Sequence, residues 1–310
     1  CMQSFVILWH YVLIFHGERY IMYNRISIIG GAGTGKTTIL RGVVDYLKDT
    51  DNKKNVVLTA PTGRAAKRLK EGLSTKGVTA YILSLDDFYL NRADIPYLPD
   101  GTQDYETVDA LDLALLEKDL NALIRGETVK SPVFDFTTGK RSDTQFNEIT
   151  LGDDDVVIIE GLHALNPVIT EKVKGKLLKV YINVSSRILD KDGNVLLNKR
   201  NLRFLRRMIR DYKYRASSVE NTCRLWKNVT AGEDKYLFPF RHNADIKADT
   251  IHLYEPCVVK QQALPLLCED DVSDEFKPEI KKLKNALEQF DNINENTVPK
   301  NSLLREFLGN

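Results

Sequence analysis

Residues Gly30-Gly31-Ala32-Gly33-Thr34-Gly35-Lys36-Thr37 satisfy the pattern G-x-x-x-x-G-K-[ST] at every fixed position. An apolar run, Ile26-Ser27-Ile28-Ile29, precedes them, and a helix-compatible stretch, Thr38 to Leu47, follows. Strand, glycine-rich loop and helix in that order give the pattern a physical meaning. Glycines let the backbone wrap around phosphate oxygens with its N–H groups turned inward. The helix N-terminus adds a favourable field. In such a loop Lys36 reaches the β- and γ-phosphates and Thr37 holds Mg²⁺, with Thr38 completing the nucleotide site. The pattern therefore predicts that the chain binds ATP or GTP.

From Arg25 onward, short β-branched runs alternate with helical patterns. The runs are 25–29, 55–59, 80–85, 156–159 and 178–184, several of them apolar nearly throughout. Strands covered on both faces read this way, so the fold class is α/β, with a parallel sheet flanked by helices. In such sheets ligands sit at the carboxyl ends of the strands. The segments that follow the runs therefore matter most: the loop at Gly30, Thr59-Ala60-Pro61-Thr62-Gly63-Arg64, the acidic pair Asp86-Asp87, and Glu160-Gly161. Residues 94–104 read as a loop, 110–124 as an amphipathic helix, 131–141 as extended, 199–215 as a basic helix and 276–290 as a surface helix.

Composition narrows the partners. The net charge of +1 excludes a polycation built around nucleic acid. The four cysteines form no C-x-x-C pair, and isolated thiols fit a reducing, cytoplasmic setting. The apolar segment Phe5 to Phe15 is too short to span a bilayer, so no membrane role is expected.

Phosphoryl transfer needs positioning and charge neutralisation, and a kinase also needs a carboxylate for the attacking hydroxyl. Asp86 or Asp87, directly after a strand, would supply it. Each would equally serve as a turn or helix-cap residue. Glu160 ends the hydrophobic run Val156-Val157-Ile158-Ile159, a place suited to an Mg²⁺ ligand. Arg203, Arg206, Arg207 and Arg210 are spaced three or four apart and share one helix face, with Arg215 following. That face reads as a lid over phosphates, as a solvated face or as a nucleic-acid patch.

Several segments in order resemble the uridine kinase/phosphoribulokinase family, in particular a bacterial uridine-kinase-like branch. They are Tyr81 to Tyr89 (YILSLDDFY), Pro132-Val133-Phe134-Asp135-Phe136, Ile158 to Pro167 (IIEGLHALNP), Arg206 to Asp211 (RRMIRD), Trp226 to Phe240 (WKNVTAGEDKYLFPF) and Val298 to Phe307. The resemblance covers residues 72–310. It implies a P-loop kinase with ATP and Mg²⁺ as cofactors, a basic lid and a small-molecule acceptor. It implies that Asp86 is the base and Glu160 assists the metal. Tyr89, Phe134 and Arg141 would line the acceptor pocket, and Glu106 would hold ribose hydroxyls. Arg206, Arg210 and Arg215 would belong to the lid, with Arg210 acting in catalysis beside Lys36. Animal-type members place a base-reading histidine where this chain has Gly139.

Residues 25–71 instead resemble the start of a RecD-like helicase motor, through Gly30–Thr38 and the segment Val57 to Leu69 (VLTAPTGRAAKRL). The chain thus reads as a hybrid, a helicase-like phosphate-loop segment (25–71) joined to a kinase body (72–265) within one P-loop kinase-like domain (25–265), with an N-terminal extension (1–24) and a C-terminal helical extension (266–310). The extra strand-and-helix unit, 55–71, poses a mechanical question. If it packs at the sheet edge, Asp86 stays beside the phosphate loop. If it takes the place beside the phosphate-loop strand, Asp86 moves outward by one strand spacing, about 5 Å. An ATP-dependent nucleoside kinase is the leading expectation. A nucleic-acid-stimulated ATPase, resting on Arg64, Lys67 and Arg68, and a nucleotide-binding hybrid without turnover are the alternatives.

Overall fold

The computed structural model describes residues 13–14, 21–22, 26–28, 56–60, a few positions between 66 and 74, and 77–309 apart from 100, 102, 137, 154, 175 and 301. The phosphate-loop residues Gly30, Gly31, Ala32, Gly33, Thr34, Gly35, Lys36, Thr37 and Thr38, and the helicase-like positions Arg64, Lys67 and Arg68, lie outside the described residues.

Two short strands, β1 (Leu13–Ile14) and β2 (Ile21–Met22), pair antiparallel. The main sheet draws on β3 (Ile26–Ile28), β4 (Val56–Ala60) and β5 (Ala80–Ser84). Next come the hairpin strands β6 (Val129–Asp135) and β7 (Lys140–Ile149), then β8 (Val156–Glu160) and β9 (Lys176–Asn183). A second small hairpin follows, β10 (Ile188–Leu189) with β11 (Val195–Leu197), and β12 (Ile246–Asp249) closes the series. The six-stranded sheet runs β3-β12-β9-β4-β8-β5. The pairs β12–β3, β4–β9, β4–β8 and β5–β8 are parallel, as the apolar runs predict. β8 is buried at every position, Val156 through Glu160. Covered on both faces, it has no solvent side on which an alternating pattern would be needed.

This order answers the mechanical question with a third arrangement. The extra strand β4 lies inside the sheet, next but one to β5, and the phosphate-loop strand β3 lies on the opposite edge from β5. Five strand spacings of about 4.8 Å separate β3 from β5, or about 24 Å across the sheet. Asp86 and the phosphate-loop strand are therefore neither neighbours nor offset by a single strand. Adjacency in sequence pattern did not fix adjacency in the sheet.

Among the described residues two compact units separate. One holds everything up to Ile182 together with Gly232–Ala248; the other holds Asn183–Ala231 and the chain from Asp249 onward. In the first, helix α1 (Leu113–Ile124) lays Leu116, Leu120 and Leu123 against Leu83, Val157 and Ile159. Asp112 caps it, its Oδ1 accepting the Leu115 amide at 3.0 Å. The helix starts three residues later than its sequence pattern suggests, because 108–110 winds as a tighter 3-10 turn.

In the second unit, α2 (Lys199–Arg215) opens on a capping box: the Asn198 side chain accepts the amides of Arg200 and Asn201, and Asn201 returns a bond to the Asn198 amide. Its buried residues Leu202, Leu205, Met208 and Ile209 follow helical spacing. They share one core with α3 (Val219–Gly232), α4 (Glu255–Ala263), α5 (Lys277–Glu288) and the chain to Leu308. No helix among the described residues is long and apolar enough to cross a membrane.

Candidate active site

The carboxyl ends of β5 and β8 bring the acidic residues together. Ser84 and Glu160 are direct register partners, and Ala60 of β4 stands on the other side of Glu160. The Ser84 hydroxyl donates to Glu160 Oε1 at 2.5 Å. Burial pushes the Glu160 carboxyl up to about 6; the charges of Asp86 and Asp87 add to this and the Ser84 bond opposes it. Three carboxylates therefore sit within electrostatic reach of one another. The strand ends that flank Glu160 are those of β5 and β4, at Ser84 and Ala60, and not that of β3.

A 3-10 turn, Leu85–Phe88, continues β5 and carries Asp86 and Asp87. Leu85 and Phe88 anchor it in the core. The two aspartates have different duties. Asp87 Oδ1 accepts the Phe134 amide at 3.1 Å, which ties the β6–β7 hairpin to the turn. Asp86 makes no hydrogen bond among the described residues. It reaches solvent, yet desolvation and the Asp87 charge raise its carboxyl above the ordinary range. A carboxylate with accessible oxygens and raised basicity suits proton abstraction. Asp87 is occupied in holding the hairpin.

Gly161 makes this approach possible. Its φ is +147°, and a Cβ there would fall 2.8 Å from Leu85 Cβ. Only a residue without a side chain lets the turn of Asp86 close onto the end of β8.

An aromatic row borders the acids. The Tyr89 and Phe134 rings lie 5.8 Å apart, and Phe134 meets Phe136 edge-on at 5.0 Å. Tyr89 Oη donates to the Tyr105 carbonyl at 2.9 Å. Burial raises the Tyr89 phenol, with further contributions from Asp86, Glu106 and Asp104. The loop that carries Glu106 is thus held against Tyr89. A second tie comes from His163, whose Nε2 bonds the Glu106 carbonyl at 3.0 Å. His163 is buried, stacks edge-on against Tyr236 at 5.0 Å and has no partner for Nδ1. Desolvation lowers its pKa to about 4, so the ring is neutral and Nε2–H is the donor. Arg141 pairs with Asp112 at 2.9 Å, and its backbone amide donates to Asn91 Oδ1 at 3.3 Å.

The first unit therefore assembles Asp86, Tyr89, Glu106, Phe134, Arg141 and Glu160, all named from sequence. Sequence reading missed Ser84, Asp87's anchoring role, Asn91, His163 and Tyr236. The signal for His163 was its place three residues after Glu160, and for Tyr236 its place in a motif already singled out.

The lid arginines belong to the second unit, and one of them is corrected. Arg206 is only 8 % exposed and gives two bonds to Glu255, Nε–Oε1 at 2.5 Å and Nη2–Oε2 at 2.6 Å. It also reaches the Thr250 hydroxyl and carbonyl at 3.1 and 2.9 Å. A guanidinium so engaged packs the unit and does not face phosphates, although helical spacing placed it with Arg203, Arg207 and Arg210. Arg207, Arg210 and Arg215 all contact the buried Asp211, at 3.1, 3.2 and 3.2 Å.

Among the described residues no group of three or more histidine, cysteine or acidic side chains forms a metal cage. A magnesium ion bound with nucleotide needs only one or two carboxylates, since phosphates and waters complete its shell. Glu160, with oxygens flanked by the hydroxyl of Ser84 and the charges of Asp86 and Asp87, fits that requirement.

A family model described as an AAA domain matches residues 18–290. Among curated proteins, the uridine kinase of Lactobacillus helveticus is 26% identical over 223 residues, covering 71% of this chain and 83% of the relative. The uridine kinase of Deinococcus deserti is 27% identical over 223 residues, covering 71% and 84%. Among solved structures, a phosphoribulokinase from Rhodobacter spheroides is 15% identical, with a TM-score of 0.42, covering 62% of this chain and 69% of that one.

Proposed function

The chain belongs to the AAA domain family, and from that premise we propose that it is an ATP-dependent kinase whose acceptor is a hydroxyl of a nucleoside or similar small metabolite. The observation that carries this reading is the convergence of Asp86, Glu160 and Glu106 on one sheet edge beside the Tyr89–Phe134 aromatic row. A kinase must place an accessible carboxylate beside the acceptor, and this edge offers that carboxylate next to an aromatic row on which an organic acceptor can pack.

In this reading Asp86 accepts the proton of the attacking hydroxyl. Tyr89 and Phe134 wall the acceptor, and Glu106 holds its hydroxyls in a loop pinned by Tyr89 and His163. Arg141 and Asp112 fix the hairpin near its tip. Glu160 and Thr37 hold Mg²⁺, which when bound neutralises charge on the phosphates. Gly30 to Thr38 cradle the nucleotide, with Lys36 on the β- and γ-phosphates. Arg210 and Arg215, whose spacing Asp211 sets, are the positive groups that the resemblance assigns to the lid.

A second reading has its own observation. The phosphate-loop strand and the strand of Asp86 occupy opposite edges of the sheet. In-line transfer needs donor and acceptor atoms about 3–3.5 Å apart. This strand order favours a hybrid that binds nucleotide without passing its phosphate to an acceptor held at Asp86.

ADP release from Mg²⁺-ATP separates the two. Nucleosides and single-stranded DNA serve as stimulants, and Lys36→Ala is the blank. Stimulation by a nucleoside that falls about 10²- to 10⁴-fold in Asp86→Asn, with ATP binding retained, supports the kinase. ATP binding with silence towards every stimulant supports the hybrid. Retained phosphorylation in Asp86→Asn removes Asp86 from the role of base.

A further inference from the structure

We infer that Arg92 is the specificity residue for the far end of the acceptor, selecting a group that presents carbonyl or anionic oxygen there over one that presents an amine. The inference rests on the kinase reading for the identity of the pocket. Its geometry comes from a different pair of residues.

Gly139, at the tip of the β6–β7 hairpin, has φ +71°. A Cβ built on it would fall 2.7 Å from Arg92 Nε and 2.9 Å from Arg92 Cζ. The guanidinium therefore lies directly over the glycine, in space that any side chain at 139 would claim. The backbones are tied as well: the Arg92 amide donates to the Gly139 carbonyl at 2.8 Å. Arg92 Nη2 gives one long bond, 3.4 Å, to the Phe136 carbonyl.

From behind, Gln103 Nε2 donates to the Arg92 carbonyl, and Gln103 Oε1 accepts from Tyr105 Oη at 2.6 Å. The residue after Tyr105 is Glu106. Arg92 is thus braced between the hairpin tip and the acidic loop of the site.

The charged head remains available. It is exposed, and among the described residues it forms no ion pair. Beside it lies Phe136, 61 % exposed, at the end of the aromatic row from Tyr89 through Phe134. Aromatic faces accept a planar group. A guanidinium beside them supplies only donors, in a rigid fork suited to carbonyl, carboxylate or phosphate oxygen. An amine placed there would oppose donor to donor. The row therefore has a polarity, with acids at the Asp86 end and a cation at the Arg92 end.

Two acceptor pairs test the source of the oxygen. Uridine and cytidine differ at one ring position by a carbonyl against an amine; ribose 5-phosphate and ribose differ by an anionic group. Equilibrium binding and steady-state ADP release are measured on the full chain for wild type, Arg92→Ala and Arg92→Lys, with melting temperature and ATP affinity as controls. The expected result is a wild-type preference of about tenfold or more for the oxygen-bearing member of one pair. In Arg92→Ala that preference collapses to near unity, KM for the favoured acceptor rises about tenfold and kcat holds within about twofold. Arg92→Lys retains part of a preference for the phosphate but loses one for the carbonyl, because the fork is gone.

A wild-type preference left intact in Arg92→Ala overturns the inference, as does equal use of both members of both pairs. Binding without turnover sinks the kinase reading alone, and the ratio of dissociation constants then decides on Arg92. Absence of binding by all four compounds overturns both.

Discussion

Ser84 and Glu160 meet across adjacent parallel strands, hydroxyl to carboxylate at 2.5 Å, in a pocket that holds the Glu160 carboxyl near pH 6. A buried acid with raised pKa weakens the fold whenever it is ionised. The folded state binds the proton up to about 6, whereas the unfolded chain releases it near 4.5. Stability therefore falls as pH rises from 4.5 to 6, by about 2 kcal/mol for this group. Glu160→Gln keeps an oxygen for Ser84 and removes the charge. Urea unfolding in EDTA should show the variant about 1–2 kcal/mol more stable than wild type at pH 7.5, and no more stable at pH 4. An equal difference at both pH values would mean that the carboxylate is not strained.

His163 makes the opposite contribution. Its folded pKa of about 4 lies below the ordinary 6.5, so the unfolded chain takes up the proton first on acidification. Stability from this residue is lost as pH falls from 6.5 towards 4, by about 3 kcal/mol in total. Between pH 4.5 and 6 the two slopes oppose each other. Each single variant should therefore unmask the other group. Relative to wild type, Glu160→Gln should shift the slope towards loss of stability on acidification through this window, while His163→Gln should shift it towards gain; Asp119, whose carboxyl burial also raises to about 6, contributes the same background to both. Loss of the ring packing against Tyr236 offsets His163→Gln by a constant amount, so the slope is the readout. Parallel slopes in the two variants would sink the assignment of either shift.

Much of this site is legible before folding because each residue follows a strand. The apolar run 156–159 ends in Glu160, and the run 80–85 ends in Asp86, so a parallel sheet alone brings them to one edge. Glu106, Phe134 and Arg141 came from a family pattern; no periodicity marks them. What sequence hid was pairing between distant segments. β4 and β3 read equally well as buried strands, and nothing in either run states which will lie beside β8. Arg206 was misread for a related reason. Helical spacing fixes direction around an axis, but the partner that makes burial tolerable, Glu255, lies in another helix.

Gly161 sets the distance between Asp86's turn and the end of β8. At φ +147°, with 2.8 Å from a notional Cβ to Leu85 Cβ, alanine would be strained in its own backbone and would also collide. Gly161→Ala should cost about 1–3 kcal/mol of stability and displace the 85–88 turn. In a turnover assay kcat should fall more than ATP affinity, since the turn carries the base. Leu85→Gly in the same chain, measured against Leu85→Gly alone, should recover only part of the loss, because it removes the colliding Cβ and leaves the dihedral strain. Full recovery would show that contact alone requires the glycine.

Arg206 and Glu255 hold the second unit through a buried, two-pronged pair, with Glu255 only 1 % exposed. Such a pair is costly to break from one side, since the remaining charge stays buried without compensation. Arg206→Ala should therefore destabilise by about 3–5 kcal/mol. Replacing both partners by apolar groups of similar size removes both charges together. The double variant Arg206→Met, Glu255→Leu should be more stable than Arg206→Ala, despite changing two core residues. Denaturant unfolding of the full chain, read as a double-mutant cycle with Arg206→Met alone and Glu255→Leu alone, measures the coupling. A double variant as damaged as the sum of the singles would show that the pair contributes packing and not charge compensation. The same experiment bears on the lid, because a guanidinium that the core cannot lose without a partner is not available to a nucleotide.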